Sequence, residues 1–379
     1  MLPQTNPLPP PIDAPEPAPT RLISLDALRG FTIAAMLLVN FPGDGDHVYH
    51  PLQHTKWNGL SFTDLIAPFF LFIIGVSIVF AYSKRLESGA PKGDLYRKIV
   101  WRSVKIFVVG MVLNLLPTFD FANIRWTGTL HRIAFVFLIC SVIYLNTNWK
   151  QQAWIGALTL VVYWLALTQI PTPGVGKVML EPGVNLVAWF DSLYLPGRMW
   201  QGTWDPESIL STFPSAVSGV TGMLAGRLMI SNRTRLEKVA YLMTIGLFTA
   251  VAGYLWNLTF PSNENLWTSS FVLITSGFAA LLFGAVYFLV DILGKTGGIQ
   301  PGIIFGANAI AVYVLGDLLS IVFYYLKFGE HSLNEHGVNV ITSLGFDSRF
   351  ASMMYALFFV GINFIPAYFL YRKKIFIKL

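Results

Sequence analysis

Three side chains near the start of the chain have the types that acyl or proton transfer needs: Asn40, His54 and Asp64. A neutral imidazole can take the proton of an attacking amine or itself accept an acyl group, and its ordinary pKa of about 6.5 suits either task. A carboxylate can orient that ring or stabilise imidazolium. A carboxamide can donate a hydrogen bond to a carbonyl oxygen as negative charge develops there. The bland readings are that His54 is a solvated loop residue and that Asp64 caps the helix it precedes. His47 and His50 share the loop with His54, but no acidic or thiol cluster with suitable spacing completes a zinc site, so no metal is expected.

The elements that must position these residues are membrane helices. The chain has 379 residues, of which 54% are hydrophobic and only 12% charged, against about 25% charge in soluble chains. Its mean hydropathy is +0.57. A membrane span needs roughly 20 predominantly apolar residues. Ten such runs are predicted, at 24–42, 62–83, 100–117, 129–146, 151–170, 208–230, 238–258, 267–292, 301–326 and 350–371. The expected fold is therefore all-α and polytopic, with residues 21–379 forming one transmembrane domain. Residues 1–20 carry eight prolines and are expected to form an extended, disordered tail. The segment that begins near Arg21 reads as an uncleaved signal anchor.

Short cytoplasmic loops accumulate Lys and Arg. One alternate set of loops holds Lys84, Arg85, Lys92, Arg97 and Lys98, then Lys150, Arg233, Arg235, Lys238, Lys295 and the basic run from Arg372 to Lys378. The other set is poorer in basic residues and much longer. Both termini are therefore expected in the cytoplasm, with loops 43–61, 118–128, 171–207, 259–266 and 327–349 on the far side. The net charge of +6 expresses this bias, and nucleic-acid binding is not expected. Cys140 falls within a span and reads as a small apolar residue.

Several blocks carry a family resemblance: Arg21-Leu-Ile-Ser-Leu-Asp26-Ala-Leu-Arg29-Gly30, Asn40, and His54-Thr-Lys-Trp57-Asn58-Gly59-Leu-Ser-Phe-Thr-Asp64. Gly128-Thr-Leu-His-Arg132-Ile, Trp204-Asp205-Pro206-Glu207, Pro261-Ser-Asn263-Glu-Asn265-Leu-Trp267 and Gly306-Ala-Asn308-Ala-Ile-Ala-Val-Tyr313 follow in the same order. Together they resemble the heparan-alpha-glucosaminide N-acetyltransferase family and its bacterial relatives. The resemblance implies transfer of acetyl from cytosolic acetyl-CoA to the amine of glucosamine or a related amino sugar on the far side of the membrane. It also implies that His54 is the catalytic histidine, with Asn40 and Asp64 as polar residues near it. His131 departs from the pattern, since an amide side chain is usual there. His131 and Arg132 are expected to face one cavity.

Acetyl-CoA is an anionic nucleotide, so its phosphates should meet cationic side chains, for which Arg29, Arg102, Lys105 and Arg132 are the candidates. Snorkelling to lipid phosphate, or pairing of Arg29 with Asp26 three residues away, is the bland alternative. For the acceptor, Trp57, Asn58, Trp204, Asp205, Asn263 and Trp267 are the candidate contacts. Trp126 also maps to the far side. Tryptophans gather at membrane interfaces in any case, and Asp205-Pro206 reads equally well as a helix start. The partners expected are the amino sugar and the lipid bilayer, while a homodimer stays open. A bacterial inner membrane is the expected location. Two other classes remain: a membrane O-acyltransferase, whose typical histidine within the opening block is missing here, and an amino-sugar transporter without chemistry. Pro68, Pro117, Pro214 and Pro366, in or beside spans, fit the latter.

Overall fold

Residues 21–377 are described by the computed structural model, so the proline-rich segment 1–20 and Lys378 lie outside the described residues. The helices, in chain order, are α1 (Ile23–Asn40), α2 (Ile66–Glu87), α3 (Lys92–Leu115), α4 (Thr129–Asn146), α5 (Trp149–Gln169), α6 (Leu186–Tyr194) and α7 (Thr212–Ile230). They continue as α8 (Arg235–Asn257), α9 (Ser269–Tyr287), α10 (Gln300–Ala307), α11 (Ala309–Ser320), α12 (Leu333–Ser343) and α13 (Ser348–Arg372). A hairpin of β1 (Lys327–Phe328) and β2 (His331–Ser332) precedes α12.

Seven helical segments among the described residues are long and apolar enough to cross a membrane, and an eighth if α10 and α11 form one bent span. The ten predicted runs all fall on helices, but α3 and α7 are not among those seven. The reasons are visible in their sequences. α3 begins at Lys92, two turns before the predicted start, and carries Arg97, Lys98, Arg102 and Lys105. α7 is long enough but dilutes its apolar residues with Ser, Thr and Gly. The predicted run 301–326 is not one straight helix: the chain bends by 84° between α10 and α11 at Asn308. Two predicted loops also contain structure, α6 in 171–207 and the β hairpin with α12 in 327–349.

Apolar side chains divide between an interior and an outward surface that faces lipid. Trp154 on α5, Phe248 and Leu255 on α8 are at least 63% exposed, as expected for peripheral helices in an apolar solvent. Lipid tails are as apolar as leucine, so burial alone does not drive helices together; close backbone approach through small residues does. A Cβ on Gly30 of α1 would stand 1.7 Å from the Gly302 oxygen of α10, and one on Gly306 2.0 Å from the Asp26 oxygen. The same logic joins α2 to α7, where a Cβ on Gly75 would meet the Gly219 oxygen at 1.9 Å. Cys140 of α4 is fully buried against α7, its thiol donating to the Ala216 oxygen at 3.3 Å. These contacts join α1 to α10, and α2 and α4 to α7. Two cavities open at opposite ends of α2.

Candidate active site

The first cavity, about 490 Å³, lies at the N-terminal ends of α2 and α4 and is lined by His54. Asp64 sits in the single turn Thr63–Leu65 that leads into α2 and has no solvent exposure. It accepts hydrogen bonds from the Ser61 amide at 2.8 Å, the Thr55 hydroxyl at 3.0 Å and His54 Nδ1 at 2.9 Å. Asp64 is thus not a helix cap in the structure. It closes the 54–64 loop on itself, and the ring of His54 is delivered by that closure.

A second carboxylate, absent from the sequence-based candidates, completes the group. Glu264 Oε2 lies 2.8 Å from His54 Nδ1. It rides on the 258–268 loop, which Asn263 shapes: the Asn263 amide donates to Thr268 Oγ1, its Oδ1 accepts the Leu266 amide, and its side-chain amide donates to Asn58 Oδ1. Asn58 and Asn263 therefore organise the loops that carry the site and do not line the cavity. The one sequence clue to Glu264 was its place inside the Asn263-Glu-Asn265 block, where an acid between two carboxamides reads as solvated polarity.

Burial lowers the His54 pKa, but the hydrogen bonds and negative charge of Asp64 and Glu264 outweigh it and raise the imidazole to about 10. Burial pushes the Glu264 carboxyl up to about 7, helped by the Asp64 charge and opposed by His54. Groups this close titrate together. Both carboxylates engage Nδ1, which leaves Nε2 as the nitrogen available for chemistry. The ligand-capable atoms of His54, Asp64 and Glu264 lie within 4.8 Å of one another, a spacing that also suits a divalent cation. His47 belongs to neither arrangement and pairs with Asp44 at 2.7 Å.

Trp204 and Trp267 line this cavity, with Lys56, Glu207 and Asn265. Trp57 backs Trp204 edge to face at 5.1 Å and donates its indole N–H to the Leu180 oxygen. Asp205 is not available to a ligand. Its buried carboxylate receives Arg125 through two bonds of 2.7 Å and the Trp200 amide at 3.0 Å, pinning the 195–207 segment. Nor does it start a helix, since α7 begins at Thr212. Asn40 is exposed at the end of α1, and it is Met36, one turn earlier, that reaches the cavity.

Arg132 also lines this cavity rather than gathering with the other cations. Its guanidinium lies 4.5 Å over the Trp267 ring and donates to the Pro206 oxygen and to Ser211 Oγ. Its Nε is buried without a partner. His131 does not share this direction, because successive helical residues point about 100° apart. It stands edge-on to Phe107 of α3 at 4.6 Å, outside both cavities.

The second cavity, about 700 Å³, lies at the other end of α2, lined by cations from several elements: Arg21, Arg29, Arg85, Lys98, Arg102 and Lys105. Arg29 bonds Asp26 at 2.8 Å, as the sequence spacing allowed, and also the Gly306 oxygen at 2.8 Å. That second bond exists because the glycine contact brings α10 against α1. Arg102 stacks over Phe137 at 4.7 Å. Asn308, at the bend, clamps the C-terminal segment by accepting the Ile377 amide at 2.8 Å and donating to the Ile375 oxygen at 3.0 Å. Phe376 and Ile377 become part of the cavity wall.

Phe70 of α2 and Ile133 of α4 line both cavities. The site thus has a histidine compartment and a basic compartment, back to back along two shared helices.

A bundle of apolar helices with a half-exposed histidine held by two carboxylates defines an integral membrane protein with a group suited to proton or acyl transfer. Comparison with known proteins supplies the particular family. The profile described as "Heparan-alpha-glucosaminide N-acetyltransferase, catalytic" matches residues 21–254, and the chain belongs to that family. It is 28% identical over 95% of its length to heparan-alpha-glucosaminide N-acetyltransferase of Mus musculus, and equally to that of Homo sapiens. In both cases it covers 60% of the relative, so the chain spans about three fifths of the length of these proteins.

Proposed function

We propose that this protein is a transmembrane acetyltransferase that moves acetyl from acetyl-CoA to the amine of glucosamine or a related amino sugar. The observation that carries the reading is the pair of compartments meeting at Phe70 and Ile133. One is lined with cations suited to the phosphates of a nucleotide. The other holds a histidine backed by two carboxylates and faced by indole rings that can stack on a sugar.

The basic compartment lies toward the Arg/Lys-rich loops and so faces the cytosol, and the histidine compartment opens on the opposite side. A bacterial inner membrane is the setting we assign, with both termini in the cytoplasm. In the reaction the amine nitrogen attacks the thioester carbonyl carbon, the C–N bond forms and the C–S bond breaks. The amine proton passes to His54 Nε2, and CoA leaves as the thiol after taking a proton. In a two-step version His54 Nε2 attacks first, carries the acetyl group, and is then displaced by the amine. Arg132, cationic and beside Trp267, supplies positive charge near the developing oxyanion.

The test is acetylation of glucosamine by purified protein in detergent with acetyl-CoA, comparing wild type with His54→Ala folded to the same extent. CoA release and N-acetylglucosamine formation, reduced at least ~100-fold in the variant, are expected. Absence of CoA release across several amino sugars, or full activity in the variant, would overturn the reading. Labelled acetyl-CoA without acceptor separates the two versions: a stoichiometric, His54-dependent label marks the two-step route.

A further inference from the structure

Apart from Phe80, the residues of α2 that line the cavities fall on one side of the helix. Ala67, Phe70 and Leu71 border the histidine compartment, and Phe70, Ile74, Ser77, Ile78, Tyr82 and Arg85 border the basic one. Spacings of three and four residues keep such a series on one face. From Phe70 to Arg85 the basic compartment follows α2 for roughly 22 Å at 1.5 Å per residue. A cavity of that length suits an extended chain. Its cations share the lining with apolar side chains, Ile74, Ile78, Ile106 and Phe137, the last of these covered by Arg102. At the inner end stand Phe70, 2% exposed, and Ile133, 4% exposed, from two helices in contact.

We propose that Phe70 and Ile133 form the acyl-selecting constriction of this protein, the point that admits the methyl of an acetyl thioester and rejects longer acyl groups. The inference rests on the acetyltransferase reading above. An acyl-CoA held by its phosphates among the cations presents its carbonyl end to the histidine compartment where these two side chains line both cavities. Beyond the carbonyl, acetyl carries one methyl and butanoyl a propyl chain. Both are apolar, so charge cannot discriminate between them, and the volume left by Phe70 and Ile133 does. The transfer itself is unchanged by chain length: the C–S bond breaks, the C–N bond forms and CoA leaves as the thiol.

The experiment compares acetyl-, propanoyl- and butanoyl-CoA with glucosamine as acceptor, in wild type, Phe70→Ala, Phe70→Leu and Ile133→Val. The readout is the butanoyl-to-acetyl ratio of kcat/KM within each protein. That ratio is indifferent to the fraction of molecules folded, because both donors report on the same active molecules. An apolar pocket discriminates by about 10–200-fold per methylene, so wild type should disfavour butanoyl strongly. Phe70→Ala should raise the ratio at least ~10-fold, and Phe70→Leu and Ile133→Val should raise it several-fold. If Phe70→Ala is inactive, the two conservative variants decide. An unchanged ratio in every active variant, with wild type still acetylating glucosamine, overturns the constriction and leaves the acetyltransferase reading standing. No CoA release by wild type with any donor overturns the reading and this inference together.

Discussion

The two compartments share Phe70 and Ile133 yet are built on opposite electrostatic plans. In the basic compartment positive charge comes from long side chains on α1, α2 and α3, several of which keep stabilising partners of their own, such as Asp26 and Gly306 for Arg29. In the histidine compartment charge is concentrated: two carboxylates converge on one ring nitrogen. The basic side is a distributed field in which no single cation is decisive, as suits holding an anion. The histidine side is a preorganised group in which each atom has one place, as suits chemistry.

That contrast predicts unequal responses to mutation. The largest effect should come from Asp64→Asn, which keeps the shape of a buried residue but removes the charge that orients His54 and closes its loop. We expect acetyl transfer to fall by about 10²–10⁴-fold, measured as CoA release; a loss under threefold would break the picture of a preorganised group. Glu264→Gln should cost less, about 10-fold near neutrality, and should move the pH dependence in a defined direction. Carboxylates raise the His54 pKa by favouring imidazolium. His54 works as acceptor only after Nε2 loses its proton, so activity rises with pH through the apparent pKa of the cluster. Removing one carboxylate lowers that pKa, and the rising limb of kcat/KM should shift to lower pH. A limb that stays in place or moves to higher pH would separate Glu264 from the titrating group.

On the distributed side, Arg102→Ala should raise KM for acetyl-CoA by about 10-fold, the loss of one charge-assisted contact, with KM for the amino sugar unchanged. Added salt should shrink the difference between variant and wild type. Smallest of all should be the response to chelation. If the His54, Asp64 and Glu264 group exchanges protons, EDTA leaves activity within twofold of its starting value; a loss reversed by zinc would recast those three residues as metal ligands.

The apolar helices were legible because each carries its signal locally. A run of about 20 apolar residues is read without knowledge of its neighbours, and predicted span 129–146 coincides with α4. The bend at Asn308 was not legible, since residues on either side are equally apolar and no proline marks it; it depends on α10 docking against α1 through glycines. Within the site, His54 and Asp64 were legible through their block. Glu264 escaped because its partner is 210 residues away in sequence. Arg132 was grouped by charge sign with the nucleotide-binding cations, whereas its helical position aims it at the other compartment. Asp205 has the type of an acceptor contact, but Arg125, 80 residues away in sequence, occupies it.

By itself the sequence determined that the chain is a helical membrane protein, which residues could do acyl chemistry, and which ends of the helices are basic, because composition, period and side-chain type are local properties. Only the tertiary structure decided which candidates meet. Two carboxylates on one imidazole, an arginine over an indole, and two compartments meeting at a phenylalanine and an isoleucine are consequences of how distant helices approach, and that approach is set by glycine contacts and loop closures that no single segment encodes.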